Sequence, residues 1–242
     1  MVDPSRIPYL TTAQMVEVDR LMVDVFGIEL IQMMENAGRH LAALAKDRFL
    51  EGDPADKHVV VLAGSGGNGG GALAAARNLF NWGARVEVYL ARSIDQLEGV
   101  VLRQAKILQS LGLELKRSAD LKADAHPRLI IDGIIGYSLK GSPRGPSAEM
   151  INWANSQGRA VLSLDLPSGL DATSGEVYSP VIRADATMTL ALPKAGLKSP
   201  GADVVGDLYL ADIGVPPILY QQPTLALDIG PIFHHQQIIR LN

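Results

Sequence analysis

Short apolar runs and helical patterns alternate along the chain from residue 58 onward. The runs His58–Ala63, Arg85–Ala91, Arg128–Gly133, Ala160–Asp165, Ala186–Leu192 and Asp207–Ala211 are rich in Val, Ile, Leu and Ala. They lack strict polar alternation, which predicts strands buried on both faces. Helical periodicity falls near Gly71–Trp82, Gln96–Leu111 and Pro146–Ser156. Two helices are predicted ahead of the first strand. One is capped by Thr11 or Thr12, buries Met15, Val18, Leu21, Met22 and Val25, and ends at Gly27. The other runs from about Glu29 to Phe49, carries Ile31, Met34, Leu41, Leu44 and Ala45 on one face, and stops at Gly52-Asp53-Pro54. Buried strands with crossover helices predict an α/β fold built on an open parallel sheet. One domain is expected over 1–242, with a core at about 11–216 and a tail at 217–242 that wraps the domain or joins a partner.

Composition narrows the functional classes. The chain has 242 residues, 47% of them hydrophobic, enough for one sizeable core. Net charge is −4 and no basic stripe is present, which argues against nucleic acid as a partner. Cysteine is absent, so disulfides, thiolate metal sites and a Cys nucleophile are excluded. No apolar run approaches the roughly 20 residues of a membrane span, and the N-terminus lacks a signal-peptide layout. A soluble, cytoplasmic protein is expected.

The densest chemical signal is Leu62–Arg77, LAGSGGNGGGALAAAR, where six of the eight residues from Gly64 to Gly71 are glycine. A strand, a turn of bare backbone and a helix N-terminus make an anion cradle, because the first helical N–H groups lack partners and the helix dipole favours phosphate. Gly64-x-Gly66-x-x-Gly69 matches the dinucleotide fingerprint, a weak signal alone. The acidic residue usual at the end of the second strand is missing. Arg92 stands there instead, either to meet a 2′-phosphate or as an exposed residue. No Gly-Lys-Ser/Thr triplet follows, which excludes an NTPase phosphate loop.

Ligands of open α/β sheets bind beyond the carboxyl ends of the strands. If the strands are parallel, Asn68, Asp132, Asp165 and Ser168 converge on one edge. Asp132 and Asp165 each follow an apolar run, where a carboxylate is costly unless paired or bound to a cation. Each residue alone also reads as a turn or cap. Lys140 reads equally as a phosphate contact or a solvated loop residue.

Five motifs stand in order: Met34-Glu-Asn-Ala-Gly38, Gly64-Ser-Gly-Gly-Asn-Gly-Gly-Gly71, Asp132-Gly-Ile-Ile-Gly136, Asp165-Leu-Pro-Ser-Gly-Leu-Asp171 and Pro193-Lys-Ala-Gly-Leu197. Together they resemble the YjeF N-terminal-domain family, the NAD(P)H-hydrate epimerases, from about Thr11 to Pro216. The resemblance implies a Rossmann-like three-layer αβα sandwich with a mostly parallel central sheet, epimerisation of hydrated NADH or NADPH, a bound potassium ion and a homodimer. It implies potassium ligands at Asn68, Asp132 and Ser168. It places substrate contacts at Gly67, Asn68, Gly69, Gly70 and Gly71, on the loop Gly136, Tyr137, Ser138, Leu139, Lys140, Gly141 and Ser142, and at Asp165, which also takes the catalytic role. The family's loop usually reads Gly-Asn-Asn-Gly-Gly-Asp-Gly. Here Gly67 replaces the first Asn and Gly71 replaces the Asp. That departure keeps a second reading open: a non-catalytic relative that binds a nucleotide or a protein partner. A third, an NADP-dependent oxidoreductase using Arg92, lacks a Tyr-x-x-x-Lys donor set.

Overall fold

A computed structural model describes residues 4–123, 125–199 and 201–242. Its elements follow the chain as α1 (Thr12–Arg20), α2 (Leu30–Phe49), β1 (His58–Ala63), α3 (Gly67–Asn81), β2 (Arg85–Leu90), α4 (Gly99–Ser110), β3 (Leu115–Arg117), β4 (Leu129–Gly133), α5 (Gly145–Ser156), β5 (Ala160–Leu164), β6 (Ala186–Leu190), β7 (Asp207–Ala211), α6 (Pro217–Tyr220) and β8 (Ile238–Arg240). The strands form one eight-stranded sheet ordered β3-β2-β1-β4-β5-β6-β7-β8. Every neighbouring pair is parallel except β7–β8.

The period of two along β1 explains the layers. Val59, Val61 and Ala63 join a core with α2, α3 and α4 on one face. Val60 and Leu62 join a second core with Met150, Ile151 and Ala154 of α5 on the other. Both faces are therefore covered, which is why these strands read as continuous apolar runs. The three-layer, mostly parallel architecture matches the sequence reading.

Three local expectations change. The glycine run is not a loop ahead of α3 but its first turn, since α3 starts at Gly67 rather than Gly71. Glycine disfavours helix by about 1 kcal/mol per residue, and tertiary packing overrides that cost. An added Cβ would come within 2.5 Å of the Met34 sulfur at Gly70 and within 2.8 Å of Leu164 Cδ2 at Gly71. The first helix is capped by Thr11, as read, but is α-helical only to Arg20; Leu21–Val25 is a π-helical turn. The wider turn rotates Val25 out to 57% exposure, against its predicted burial. The short strands β3 and β8, too brief to show a period, escape the sequence pattern. The tail wraps the domain, one of its two expected roles: Tyr220, Leu225 and Ile232 are buried against α1, and β8 pairs with β7.

Candidate active site

A cavity of about 740 Å³ opens over the carboxyl ends of β1, β2, β4 and β5. Its wall begins at Gly64–Asn68, the turn from β1 into α3. Gly64 lies so close to the turn after β4 that a Cβ would meet the Ile134 carbonyl oxygen at 1.9 Å. At Gly66 and Gly67 a Cβ would meet nothing within 4 Å, so there the bare backbone faces open space. The first helical hydrogen bond is Gly70 N–H to Gly66 C=O, and no side chain caps the helix. The N–H groups of the preceding residues are thus left for a ligand, with the helix dipole behind them.

The floor is built on Asp132, the penultimate residue of β4. Its carboxylate is fully buried and holds four donors. Oδ1 accepts from the Ser168 hydroxyl at 2.6 Å and from Ile134 N–H at 3.2 Å; Oδ2 accepts from the Ser163 hydroxyl at 2.8 Å and Ser168 N–H at 2.9 Å. Burial pushes the Asp132 carboxyl up, and these hydrogen bonds pull against it. Ser168 Oγ in turn accepts from Ile135 N–H at 2.8 Å. Asn68 reaches the other side of the same turn. Its amide N–H donates to the Leu164 carbonyl at 2.7 Å, and its Oδ1 lies where a Cβ on Gly136 would come within 2.7 Å. Asn68, Asp132 and Ser168 therefore enclose the segment Ile134–Gly136, and all three carry oxygen donors of the kind a hard cation takes.

Asp165 follows β5 in the left-handed region, at φ 68°. For a residue with a Cβ that conformation costs about 1 kcal/mol, and such strain gathers at functional sites. The side chain is 2% exposed. Its Oδ1 accepts from the Lys194 ammonium, with the Thr189 hydroxyl and Leu190 N–H at 3.4 Å, and no donor among the described residues reaches Oδ2. Lys194 is wholly buried and also donates to the Leu190 carbonyl at 2.9 Å. Both residues line the cavity. Beside them, the Tyr137 hydroxyl donates to Asp19 of α1. Burial pushes the Asp19 carboxyl up, while Tyr137 and the Lys194 charge pull it down. Burial and the Asp19 contact push the Tyr137 hydroxyl up as well.

The predicted residues divide by position. Gly67, Asn68, Gly71, Gly136, Tyr137, Ser138 and Asp165 line the cavity. Gly69, packed against Gly64, and Gly70, packed against Met34, are not among its lining. Leu139, Lys140, Gly141 and Ser142 lie outside its lining, and Asp132 and Ser168 lie beneath its floor. The sequence reading missed Lys194 and Asp19 as site residues. Lys194 stood within a quoted motif, and a fully buried lysine requires an anionic partner. Asp19 carried no signal, because only the fold of α1 over the sheet edge brings it to Tyr137.

Comparison with known proteins identifies the family. A profile of the YjeF-related protein N-terminus matches residues 30–196. The chain is 42% identical to a Dehalogenimonas lykanthroporepellens protein named NAD(P)H-hydrate epimerase, over 89% of this chain and 86% of that one. It is 38% identical to a Truepera radiovictrix protein of the same name, over 92% and 97%. A Moorella thermoacetica protein named bifunctional NAD(P)H-hydrate repair enzyme Nnr is 38% identical, over 86% of this chain but 40% of that longer one. The crystal structure of yeast ynu0 shares the fold with a TM-score of 0.78 at 23% identity, covering 97% of this chain and all of that one. The chain belongs to the YjeF-related N-terminal family.

Proposed function

We propose that the protein is an isomerase that interconverts the R and S forms of hydrated NADH and NADPH. One observation carries the chemistry: a buried carboxylate, Asp165, lines a dinucleotide-sized cavity with one oxygen unclaimed among the described residues, in a chain that resembles named epimerases over most of its length. The carbon that bears the added hydroxyl changes hand by reversible loss of hydroxyl or by ring opening. Either route needs a group to take a proton and a group to return one. Asp165 Oδ2 is the base. Lys194 holds the negative charge of the carboxylate in place and, at the same time, orients it. Tyr137, backed by Asp19, is the second proton-bearing group at the same end. A positioned acid or base contributes roughly a hundredfold or more. The N-terminal turn of α3 takes the pyrophosphate.

Potassium fits the donor set. Asn68, Asp132 and Ser168 would hold it, and the ion would fix the Ile134–Gly136 turn and supply positive charge under the substrate. Homodimerisation and a cytoplasmic setting complete the reading, the former tested by light scattering.

The test is direct. R-hydrate of NADPH is mixed with the protein, and conversion to the S form is followed against the spontaneous rate. Acceleration that Asp165→Asn removes supports the reading. An isomer ratio that relaxes at the spontaneous rate, together with tight NADP-type binding, establishes the non-catalytic alternative left open by Gly67 and Gly71.

A further inference from the structure

We propose that Arg92 and Arg144 form the subsite for a 2′-phosphate, so that the enzyme prefers the hydrate of NADPH to that of NADH; this rests on the epimerase reading above. Both arginines line the same cavity as Asp165, at its other end. Arg92 stands just beyond β2, and Arg144 is the residue before α5. Both are exposed, and neither makes an ion pair or side-chain hydrogen bond among the described residues. Asp95 and Glu98, the acidic residues in the turn after Arg92, do not line the cavity, whereas Gln96 and Ser147 do. The rim therefore presents two uncompensated forks of N–H donors with neutral hydrogen-bonding groups beside them.

Sheet order sets the ligand's layout. Between Arg92 and Asp165 the strands run β2, β1, β4, β5. Three steps of about 4.8 Å place the two ends roughly 14 Å apart, the span of an extended dinucleotide. The middle step is the bare N-terminal turn of α3, where the pyrophosphate lies. With the reacting ring at Asp165, the adenosine ribose reaches the end of β2. Discrimination between a 2′-hydroxyl and a 2′-phosphate rests on the residue there. A carboxylate accepts from the hydroxyl, while an arginine meets the phosphate. This chain has an arginine, joined by a second from α5. Guanidinium and phosphate match as bidentate partners.

Equilibrium titration of the intact protein with NADP⁺ and NAD⁺ tests the subsite without relying on turnover. NADP⁺ is expected to bind at least about tenfold more tightly at low salt, with the ratio shrinking as salt is raised. Arg92→Gln with Arg144→Gln brings the ratio to within about twofold. A ratio taken within one protein does not depend on what fraction of a variant is folded. Equal binding of the two, no binding of either, or a ratio that survives the double substitution overturns the proposal. An arginine-dependent NADP⁺ preference in a protein that fails to epimerise the hydrates leaves the subsite standing and removes the epimerase reading. Epimerisation with equal KM for both hydrates and equal NADP⁺ and NAD⁺ binding does the reverse.

Discussion

The Lys194 ammonium donates to the Asp165 carboxylate at a point where both side chains are almost wholly buried: Lys194 is 1% exposed and Asp165 3%. The two are 29 residues apart, on the loops that follow adjacent strands. A buried pair costs desolvation for both ions, and breaking it by removing one leaves an uncompensated charge. The pair is thus both a structural joint between β5 and the segment after β6 and the anchor of the carboxylate proposed as the base.

Lys194→Met should therefore destabilise the fold by about 3–5 kcal/mol, read from denaturant midpoints. Asp165→Asn with Lys194→Met should cost less than Lys194→Met alone, because the orphaned anion is gone. Asp165→Asn alone keeps the shape and should lower kcat about a hundredfold or more. A double variant as unstable as the sum of its parts would show that the two residues act independently.

On the proposed mechanism, Asp19 should govern the acid limb of activity. Burial pushes its carboxyl above the ordinary value of about 3.9, so the limb lies above that pH. The carboxylate is the stronger acceptor for the Tyr137 hydroxyl, so kcat/KM should rise as pH rises through the limb. Asp19→Asn and Tyr137→Phe should each flatten it and lower kcat about tenfold to a hundredfold. A limb unchanged in both variants would assign it elsewhere.

Potassium should raise the melting temperature more than sodium or choline at equal ionic strength, because a ligand that binds only the folded state stabilises it by mass action. Asp132→Asn should abolish the difference between the salts. The same melting temperature in all three salts for the wild type would count against a resident cation at Asn68, Asp132 and Ser168.

Two glycines of the same turn should respond oppositely to a methyl group. At Gly67 a Cβ meets open space, and Gly67→Ala should change stability by less than about 0.5 kcal/mol. At Gly71 it meets Leu164 Cδ2 at 2.8 Å, and Gly71→Ala should cost about 1–3 kcal/mol by overpacking. Thermal unfolding of the two variants checks the contrast. It also bears on why the sequence departs from the usual loop at both positions, since packing accounts for glycine at 71 and not at 67.

The fold was legible in the hydrophobic pattern because parallel strands covered on both faces write themselves as apolar runs: His58–Ala63 and Asp207–Ala211 match their strands residue for residue. The glycine cradle was legible too, since no other residue permits the approach of Gly64 to Ile134. The start of α3 was misplaced because local propensity counts four glycines against a helix, while packing on Met34 and Leu164 holds them in one. The strands β3 and β8 were missed because three residues are too few to define a period.

Sequence alone thus determined the α/β class and the placing of Asn68, Asp132, Asp165 and Ser168 beyond the carboxyl ends of strands, because each sits near a boundary between an apolar run and a turn. Only the tertiary structure decided that Asp19 meets Tyr137, that Lys194 neutralises Asp165, and that Arg92 and Arg144 share one rim with them. Those relationships join residues far apart in the chain, and the free energy of burying a charge beside its partner acts through space, where no local pattern records it.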